Sequence, residues 1–125
     1  MPTTGSRTIL LVEDELQVRK MIRSLLQRVG FSVLEAASGA QAIELSHNHP
    51  GQIDLAVIDF GMPGMSGLDV ANSILPQRPT MKVLYISGMV DSVAVASLVQ
   101  GAPEMIVQKP FSAQELLGRI GEILR

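Results

Sequence analysis

The chain has 125 residues, 46% of them hydrophobic and 18% charged, which is typical of one globular domain and excludes a disordered chain. A formal net charge of −2, without any basic run, argues against direct binding to nucleic acid or to an anionic membrane. There is no cysteine, which excludes disulfides and thiolate metal sites and fits a cytoplasmic protein.

The first elements are a short tail, a strand and a helix. Residues 1–7 are polar and are predicted to form a flexible tail before one domain over residues 8–125. The apolar run at 8–12 predicts a buried strand, and no apolar run approaches the roughly 18 residues of a membrane span. A helix follows over about 15–29, with Gly30 as its C-terminal cap. Its apolar stripe consists of Val18, Met21, Ile22, Leu25, Leu26 and Val29.

The later elements alternate in the same way. Strands are predicted over residues 31–35, 53–59, 81–86 and 105–108, and helices over 38–48, 67–75, 90–100 and from 112 onward. Two of these helices open with the spacing of a capping box, at residues 38–41 and 112–115. Five strands alternating with five helices predict an α/β fold, in which helices cover both faces of a parallel sheet.

Polar side chains stand at the carboxyl ends of four predicted strands. Glu13 and Asp14 follow the first strand, Asp59 ends the third, and Ser87 and Lys109 follow the fourth and fifth. Each has an ordinary interpretation alone, since aspartate often caps turns and acids favour helix N-termini. Because parallel strands end at one edge of the sheet, we expect all five side chains to converge there, which indicates a functional site.

Three carboxylates at one edge need compensating charge. Two like charges about 4 Å apart repel by roughly 4 kcal/mol at an effective dielectric constant of 20. Lys109 supplies one positive charge, and a divalent cation would supply more. Oxygen donors suit Mg²⁺, whereas the lack of cysteine, and of histidine near these positions, argues against zinc. A carboxylate beside Mg²⁺ and an ammonium group can attack phosphorus and form an aspartyl phosphate.

The stretches that carry these residues are LLVEDE at 10–15, DFGMPGMSG at 59–67, ISG at 86–88 and KPF at 109–111. Together they resemble the motifs of receiver domains of two-component response regulators, in order and spacing, and YISG at 85–88 further resembles the receivers of hybrid histidine kinases. The resemblance implies a flavodoxin-like (βα)5 fold whose five parallel strands have the order 2-1-3-4-5. It also implies phosphotransfer from a histidine kinase or a histidine phosphotransfer protein.

The resemblance assigns a role to each motif residue by position. Asp59 would be the phospho-acceptor, Ser87 the switch hydroxyl and Lys109 the partner of the phosphoryl group, with a cis peptide between Lys109 and Pro110. The implied ligands of Mg²⁺ are Glu13, Asp14, Asp59 and the main-chain carbonyl of Gly61. The sequence departs from the family where Ile106 replaces a frequent aromatic residue, and where segment 101–109 is one residue longer, with Pro103 inserted.

Two surfaces are candidates for partner binding. Leu16 is an apolar residue beside Arg19 and Arg23 on the first helix, which indicates a kinase-facing surface, although an incidental exposed leucine is equally compatible. On the predicted fourth helix, Val95 and Val99 point away from the core, which indicates a homodimer or effector contact. A neighbouring domain that covers this helix is the alternative.

Other functions fit the residues less well. A phosphatase or mutase with Asp59 as nucleophile would need a second acid two residues later, where Gly61 cannot serve. Flavin binding would need a hydroxyl-rich phosphate loop after the first strand. A degenerate receiver that acts only as a protein-binding module is the remaining alternative, and the complete acid, hydroxyl and lysine set argues against it. We therefore expect a phospho-accepting switch that catalyses only its own phosphorylation and dephosphorylation.

Overall fold

The computed structural model describes residues 7–88 and 105–125, which contain five strands and four helices. Their bounds are β1 (Thr8–Val12), α1 (Leu16–Arg28), β2 (Ser32–Ala36), α2 (Gly39–Asn48), β3 (Leu55–Asp59), α3 (Gly67–Ile74), β4 (Lys82–Ser87), β5 (Ile106–Gln108) and the C-terminal helix (Ala113–Leu124). The predicted fourth helix, the insertion at Pro103 and the first six residues of the predicted tail lie outside the described residues.

The five strands form one parallel sheet in the order β2-β1-β3-β4-β5, which confirms the flavodoxin-like architecture. β1 lies between β2 and β3, since Val12 pairs with Ala36 of β2 on one side and with Ile58 of β3 on the other. The chain therefore winds one way from β1 to β2 and the other way from β3 onward. Ligand sites of open α/β sheets lie at such a reversal, beyond the carboxyl ends of the strands.

The sheet is buried on both faces, and each face has its own hydrophobic core. Along β1, Leu10 and Val12 join the core under α2 and α3, while Ile9 and Leu11 join the core under α1 and the C-terminal helix. All five residues of β3 are buried, which explains its uninterrupted apolar run. The acid that ends this strand is thus held by a fully packed element.

The first helix buries a narrower stripe than the sequence predicted. Ile22 and Leu26 are fully buried, but Met21 and Val29 are 47% and 54% exposed, so their assignment to the core-facing stripe was wrong. Val29 lies beyond the last helical residue and Met21 at the solvent edge of the helix. Gly30 has a φ of +102° and donates to the carbonyl of Gln27, which confirms it as the C-terminal cap.

The two predicted capping boxes differ in detail. At the C-terminal helix, Ser112 and Glu115 each accept a hydrogen bond from the other's backbone N–H, which completes the box. At α2, Ser38 accepts from the N–H of Gln41, but the Gln41 side chain accepts from Ala37 instead of Ser38.

Among the described helices, none is long and apolar enough to cross a membrane.

Candidate functional site

Asp59 is the last residue of β3, and its carboxylate is held where the strand leaves the core. It is buried, and its Oδ1 accepts a hydrogen bond of 2.9 Å from the N–H of Gly61. The next residue, Phe60, donates its N–H to the carbonyl of Ile86 at 2.8 Å, so the main chain remains tied to β4 before it turns. The short turn therefore fixes the orientation of the Asp59 carboxylate.

Three carboxylates meet at this edge, as the sequence predicted. Glu13, Asp14 and Asp59 each place one carboxylate oxygen within 4.8 Å of the others. Because β1 and β3 are adjacent strands, the acids that follow Val12 lie beside the acid that ends β3. Glu13 and Asp59 are buried, whereas Asp14 is exposed, so the cluster opens to solvent on the Asp14 side.

Lys109 approaches the same cluster from the end of β5. Its Nζ lies 3.4 Å from Oε1 of Glu13 and 3.4 Å from Oδ2 of Asp59. The backbone N–H of Lys109 donates to the carbonyl of Ser87 at 2.8 Å, which continues the pairing of β4 with β5. The Lys109–Pro110 peptide is cis, as the motif implied. The ammonium group is thus positioned between the two buried acids.

The charges of the site shift two pKa values. Burial raises the pKa of Glu13 to about 7, and the neighbouring Asp59 carboxylate adds to the rise. Burial acts to lower the pKa of Lys109, but the Asp59 and Glu13 carboxylates outweigh it and leave that pKa raised. The Lys109 ammonium lowers the pKa of Glu13 by less than burial and the Asp59 carboxylate together raise it, so Glu13 retains a proton above its ordinary range.

Two buried oxygens at this edge lack a hydrogen-bond partner among the described residues, namely Oε1 of Glu13 and Oγ of Ser87. Buried polar atoms are rarely left unpaired, so each calls for an explanation. Oε1 of Glu13 does lie 3.4 Å from the Lys109 ammonium, and a hard cation would give it a second charged partner. A phosphoryl oxygen would accept from the hydroxyl of Ser87. The donors are all oxygens, one of them carried by a solvent-exposed acid, which fits Mg²⁺ with several retained waters.

Gly61 lies in the turn after Asp59 and is exposed to solvent. The described hydrogen bond uses its N–H, not its carbonyl. Its role as a carbonyl ligand of Mg²⁺ therefore stays a prediction. All five predicted side chains lie at strand ends on this edge. Four of them form the cluster of three carboxylates and Lys109, and the fifth, Ser87, has no hydrogen-bond partner for its hydroxyl within the described part of the chain.

Gly67 is needed at the site for a reason that the sequence analysis missed. A Cβ atom there would lie 2.9 Å from Cα of Phe60 and 3.2 Å from the carbonyl oxygen of Asp59. Only glycine lets the first residue of α3 approach the end of β3 so closely. The signal in the sequence was the glycine itself at the start of a helix, where residues with a side chain are ordinarily found.

Arg19 also reaches the site, although the sequence analysis placed it with Leu16 and Arg23 on a candidate kinase-facing surface. Its Nη1 donates to the main-chain carbonyl of Glu13 at 2.9 Å. Its Nε lies 3.4 Å from Oε1 of Glu35 on β2. No local pattern could reveal these contacts, because one partner follows β1 and the other lies in β2.

Over residues 9–121, the sequence matches the family model of the response regulator receiver domain. It is 36% identical over 121 residues to the sensor kinase CckA of Brucella abortus, covering 97% of this chain and 13% of that protein. A receiver domain protein from Clostridium thermocellum has a similar structure, with a TM-score of 0.84 and 27% identity over 94% of each chain. A receiver protein from Sinorhizobium medicae gives a TM-score of 0.82 and 33% identity, over 98% of this chain and 97% of the other.

The curated relatives are longer than this chain. The chain spans between 13% and 51% of the length of the first three of them. What it shares with them is thus one domain, and that domain contains the whole acid, hydroxyl and lysine cluster.

Proposed function

The chain belongs to the family of response regulator receiver domains of two-component signalling, and on this basis we propose that it is a Mg²⁺-dependent phospho-acceptor with Asp59 as its nucleophile. The observation that carries the proposal is the meeting of Glu13, Asp14 and Asp59 with Lys109 at one sheet edge. We propose residues 8–125 as the extent of the domain. All the motif side chains are present, which speaks against a degenerate receiver.

The proposed reaction moves a phosphoryl group from a phosphohistidine to Asp59. A carboxylate oxygen of Asp59 attacks phosphorus, an O–P bond forms, and the P–N bond to the imidazole breaks. The imidazole leaves with the bonding electron pair and takes up a proton, which leaves an aspartyl phosphate on this chain. The hydrogen bond from Gly61 holds the carboxylate in one orientation for this attack.

The surrounding side chains are proposed to share the charge that develops on the phosphoryl oxygens. Lys109 already faces Asp59, and its ammonium would move onto a phosphoryl oxygen when the aspartate is modified. The unpartnered hydroxyl of Ser87 would donate to another such oxygen. Mg²⁺ held by Glu13, Asp14, Asp59 and the carbonyl of Gly61 would neutralise charge on the transferring group.

The phospho-donor is proposed to be a histidine kinase or a histidine phosphotransfer protein. Support comes from the relationship to CckA, which is a sensor kinase. Leu16 at the start of α1 is 48% exposed beside the acid cluster, which supports α1 as the docking face. The Arg19 side chain is only 16% exposed, against 35% for Arg23, so Leu16 and Arg23 would form most of this face.

The phosphotransfer chemistry can be tested without knowing the kinase. Incubation of the chain with a small acyl phosphate and Mg²⁺ should add one phosphoryl group, visible as an intact-mass shift. Removal of Mg²⁺ by chelation should suppress the shift, and Asp59→Asn should remove it. The matched control is Asp69→Asn, since this exposed acid lies on α3, outside the cluster. Equal labelling of Asp59→Asn and the unaltered chain would exclude Asp59 as the acceptor.

A further inference from the structure

Arg19 links the acid cluster at the ends of β1 and β3 to Glu35 on β2. Its guanidinium donates to the Glu13 carbonyl at 2.9 Å and to Oε1 of Glu35 at 3.4 Å. The second oxygen of Glu35 accepts from Arg23 at 2.7 Å, so both carboxylate oxygens are used by arginines of α1. Glu35 lies on β2 and pairs in register with Leu11 of β1, two residues before Glu13. Strands β1 and β2 and helix α1 thus meet in one polar network.

This network fixes the main chain that carries the proposed metal ligands. The N–H of Glu13 donates to the carbonyl of Ala36 at 3.0 Å, and its Oε2 accepts from the N–H of Glu15 at 3.1 Å. The bond from Arg19 to the Glu13 carbonyl is the third constraint on the same residue. That carbonyl belongs to the peptide between Glu13 and Asp14, so its orientation sets the direction of both acids.

A planar guanidinium suits this position, because its donors form a rigid fork that can serve a carbonyl and a carboxylate at once. Glu35 holds that fork in place, and the Arg19 side chain is only 16% exposed. A lysine ammonium is a point charge on a flexible stem, so it would not hold the Glu13 carbonyl in one orientation as the planar fork does. The contact is therefore specific to the arginine and not to its charge alone.

An electrostatic role and a positioning role of Arg19 predict opposite effects on the affinity for Mg²⁺. The positive charge of Arg19 lies next to the acid cluster, well within the Debye length of about 8 Å at physiological ionic strength. If Arg19 acted only through its charge, removing it would strengthen Mg²⁺ binding. If it acts by orienting the peptide between Glu13 and Asp14, removing it weakens Mg²⁺ binding, since the acids lose their preset geometry.

We propose that Arg19, anchored by Glu35, is a positioning residue that orients the Glu13–Asp14 turn for cation binding. This inference rests on the proposed Mg²⁺ site. It extends that site to residues that touch neither the cation nor the phosphoryl group, and it connects β2 to the affinity of the cluster.

The test is calorimetric titration of MgCl₂ into the full metal-free chain. Arg19→Gln should raise the dissociation constant of Mg²⁺ roughly tenfold. Arg23→Gln is the matched control, because it removes the same charge from the same Glu35 carboxylate but has no contact with Glu13. Its affinity should stay within about twofold of the unaltered chain. Unchanged or tighter binding by Arg19→Gln, or an equal loss in Arg23→Gln, would overturn the proposal.

Melting of the metal-free proteins separates positioning from general destabilisation. A merely structural role for Arg19 would lower the metal-free melting temperature and leave the Mg²⁺ affinity unchanged, which would also overturn the proposal. If Arg19→Gln cannot be obtained folded, Arg19→Lys takes its place, since it keeps the charge. Its affinity should still fall, and affinity equal to that of the unaltered chain would be the contrary result.

The titration also distinguishes this inference from the proposed function. Absence of Mg²⁺ binding by the unaltered chain would remove the metal site itself. Binding that is lost in Asp14→Asn but retained in full by Arg19→Gln would leave the metal site standing and refute only the positioning role.

Discussion

At the scale of single residues, Glu13 is the group whose ionisation the fold changes most clearly. It is fully buried at the end of β1, and this burial raises its pKa to about 7 from an ordinary 4.5. A glutamate in the unfolded chain has no such environment. The proton bound to Glu13 therefore links the stability of the metal-free domain to pH.

The sign of this linkage gives a prediction. Between the two pKa values the folded chain binds more protons at Glu13 than the unfolded chain, so the free energy of unfolding falls as pH rises through that window. The expected loss is on the order of 1–3 kcal/mol between about pH 4.5 and pH 7. Urea unfolding in a chelator at a series of pH values measures it.

Glu13→Gln is the control for this pH effect, because it keeps the shape of the side chain and cannot titrate. Its unfolding free energy should lack this part of the slope. Identical pH slopes for Glu13→Gln and the unaltered chain would show that Glu13 does not hold the proton.

Repulsion within the cluster gives a second prediction. Asp59→Asn should stabilise the metal-free domain by about 0.5–2 kcal/mol, because one of two buried, adjacent carboxylates becomes neutral. Chemical unfolding in a chelator measures the change. Glu44→Gln is the control, since it removes an exposed acid from α2, far from the cluster in sequence and outside it in structure. Destabilisation by Asp59→Asn would contradict the account.

At the scale of elements, the strand ends were predictable and the contacts between elements were not. The apolar run that ends in Asp59 predicts a strand from local pattern alone, and the acids after Val12 follow the same logic. The close approach of Gly67 to Phe60 and the bond from Arg19 to Glu13 depend on tertiary packing, which leaves no periodic trace. The exposure of Met21 likewise depends on how far the neighbouring elements extend over α1.

The junction of β3 and α3 gives a prediction at this scale. Gly67→Ala should destabilise the domain by about 1–3 kcal/mol, because its Cβ would clash with backbone atoms of Phe60 and Asp59, which could move only by distorting the main chain. Gly118→Ala in the C-terminal helix is the matched control, since nothing lies within 4 Å of a Cβ there. It should stabilise the domain by about 0.5–1 kcal/mol. Equal stability of the two variants in urea unfolding would refute the close approach.

Position 106 illustrates an element-scale departure from the family. Ile106 pairs in register with Tyr85, and the aromatic contact in this region is instead an edge-to-face pair of Phe60 with Tyr85, whose ring centroids are 5.9 Å apart. Phe60 directly follows Asp59. Without an aromatic side chain at 106, a ring at that position cannot carry the conformational signal. We expect movement of Ser87 and the following loop toward Asp59 to do so.

At the scale of the whole molecule, the strand order is what turns scattered residues into a site. The alternation of strands and helices predicted the sheet, and the motifs implied the order 2-1-3-4-5, which the structure confirms. The order places β1 and β3 side by side, so their terminal acids meet. Residues 89–104 lie outside the described part of the chain, and expectations for them rest on sequence alone.

The output surface is predicted to be an outward apolar patch on residues 90–100. Val95→Glu should abolish phosphorylation-driven association with a second copy or an effector, because it places a charge in the outward apolar patch predicted on residues 90–100. Phosphorylation of Asp59 should be unaffected. Met21→Glu, at an exposed apolar position of α1, is the control. Light scattering of both phosphorylated variants measures association. Normal association of Val95→Glu together with loss in Met21→Glu would place the output face on α1.

Transfer of a phosphoryl group to Asp59 is the central claim, and site mapping after phosphotransfer tests it most directly. The chain would be incubated with Mg²⁺ and a phosphorylated histidine phosphotransfer domain, reduced with borohydride to trap any acyl phosphate, digested and analysed by mass spectrometry. The account predicts a single trapped residue, Asp59, with no label when Mg²⁺ is chelated. Trapping at another acid, or labelling of Asp59→Asn to the level of the unaltered chain, would contradict it.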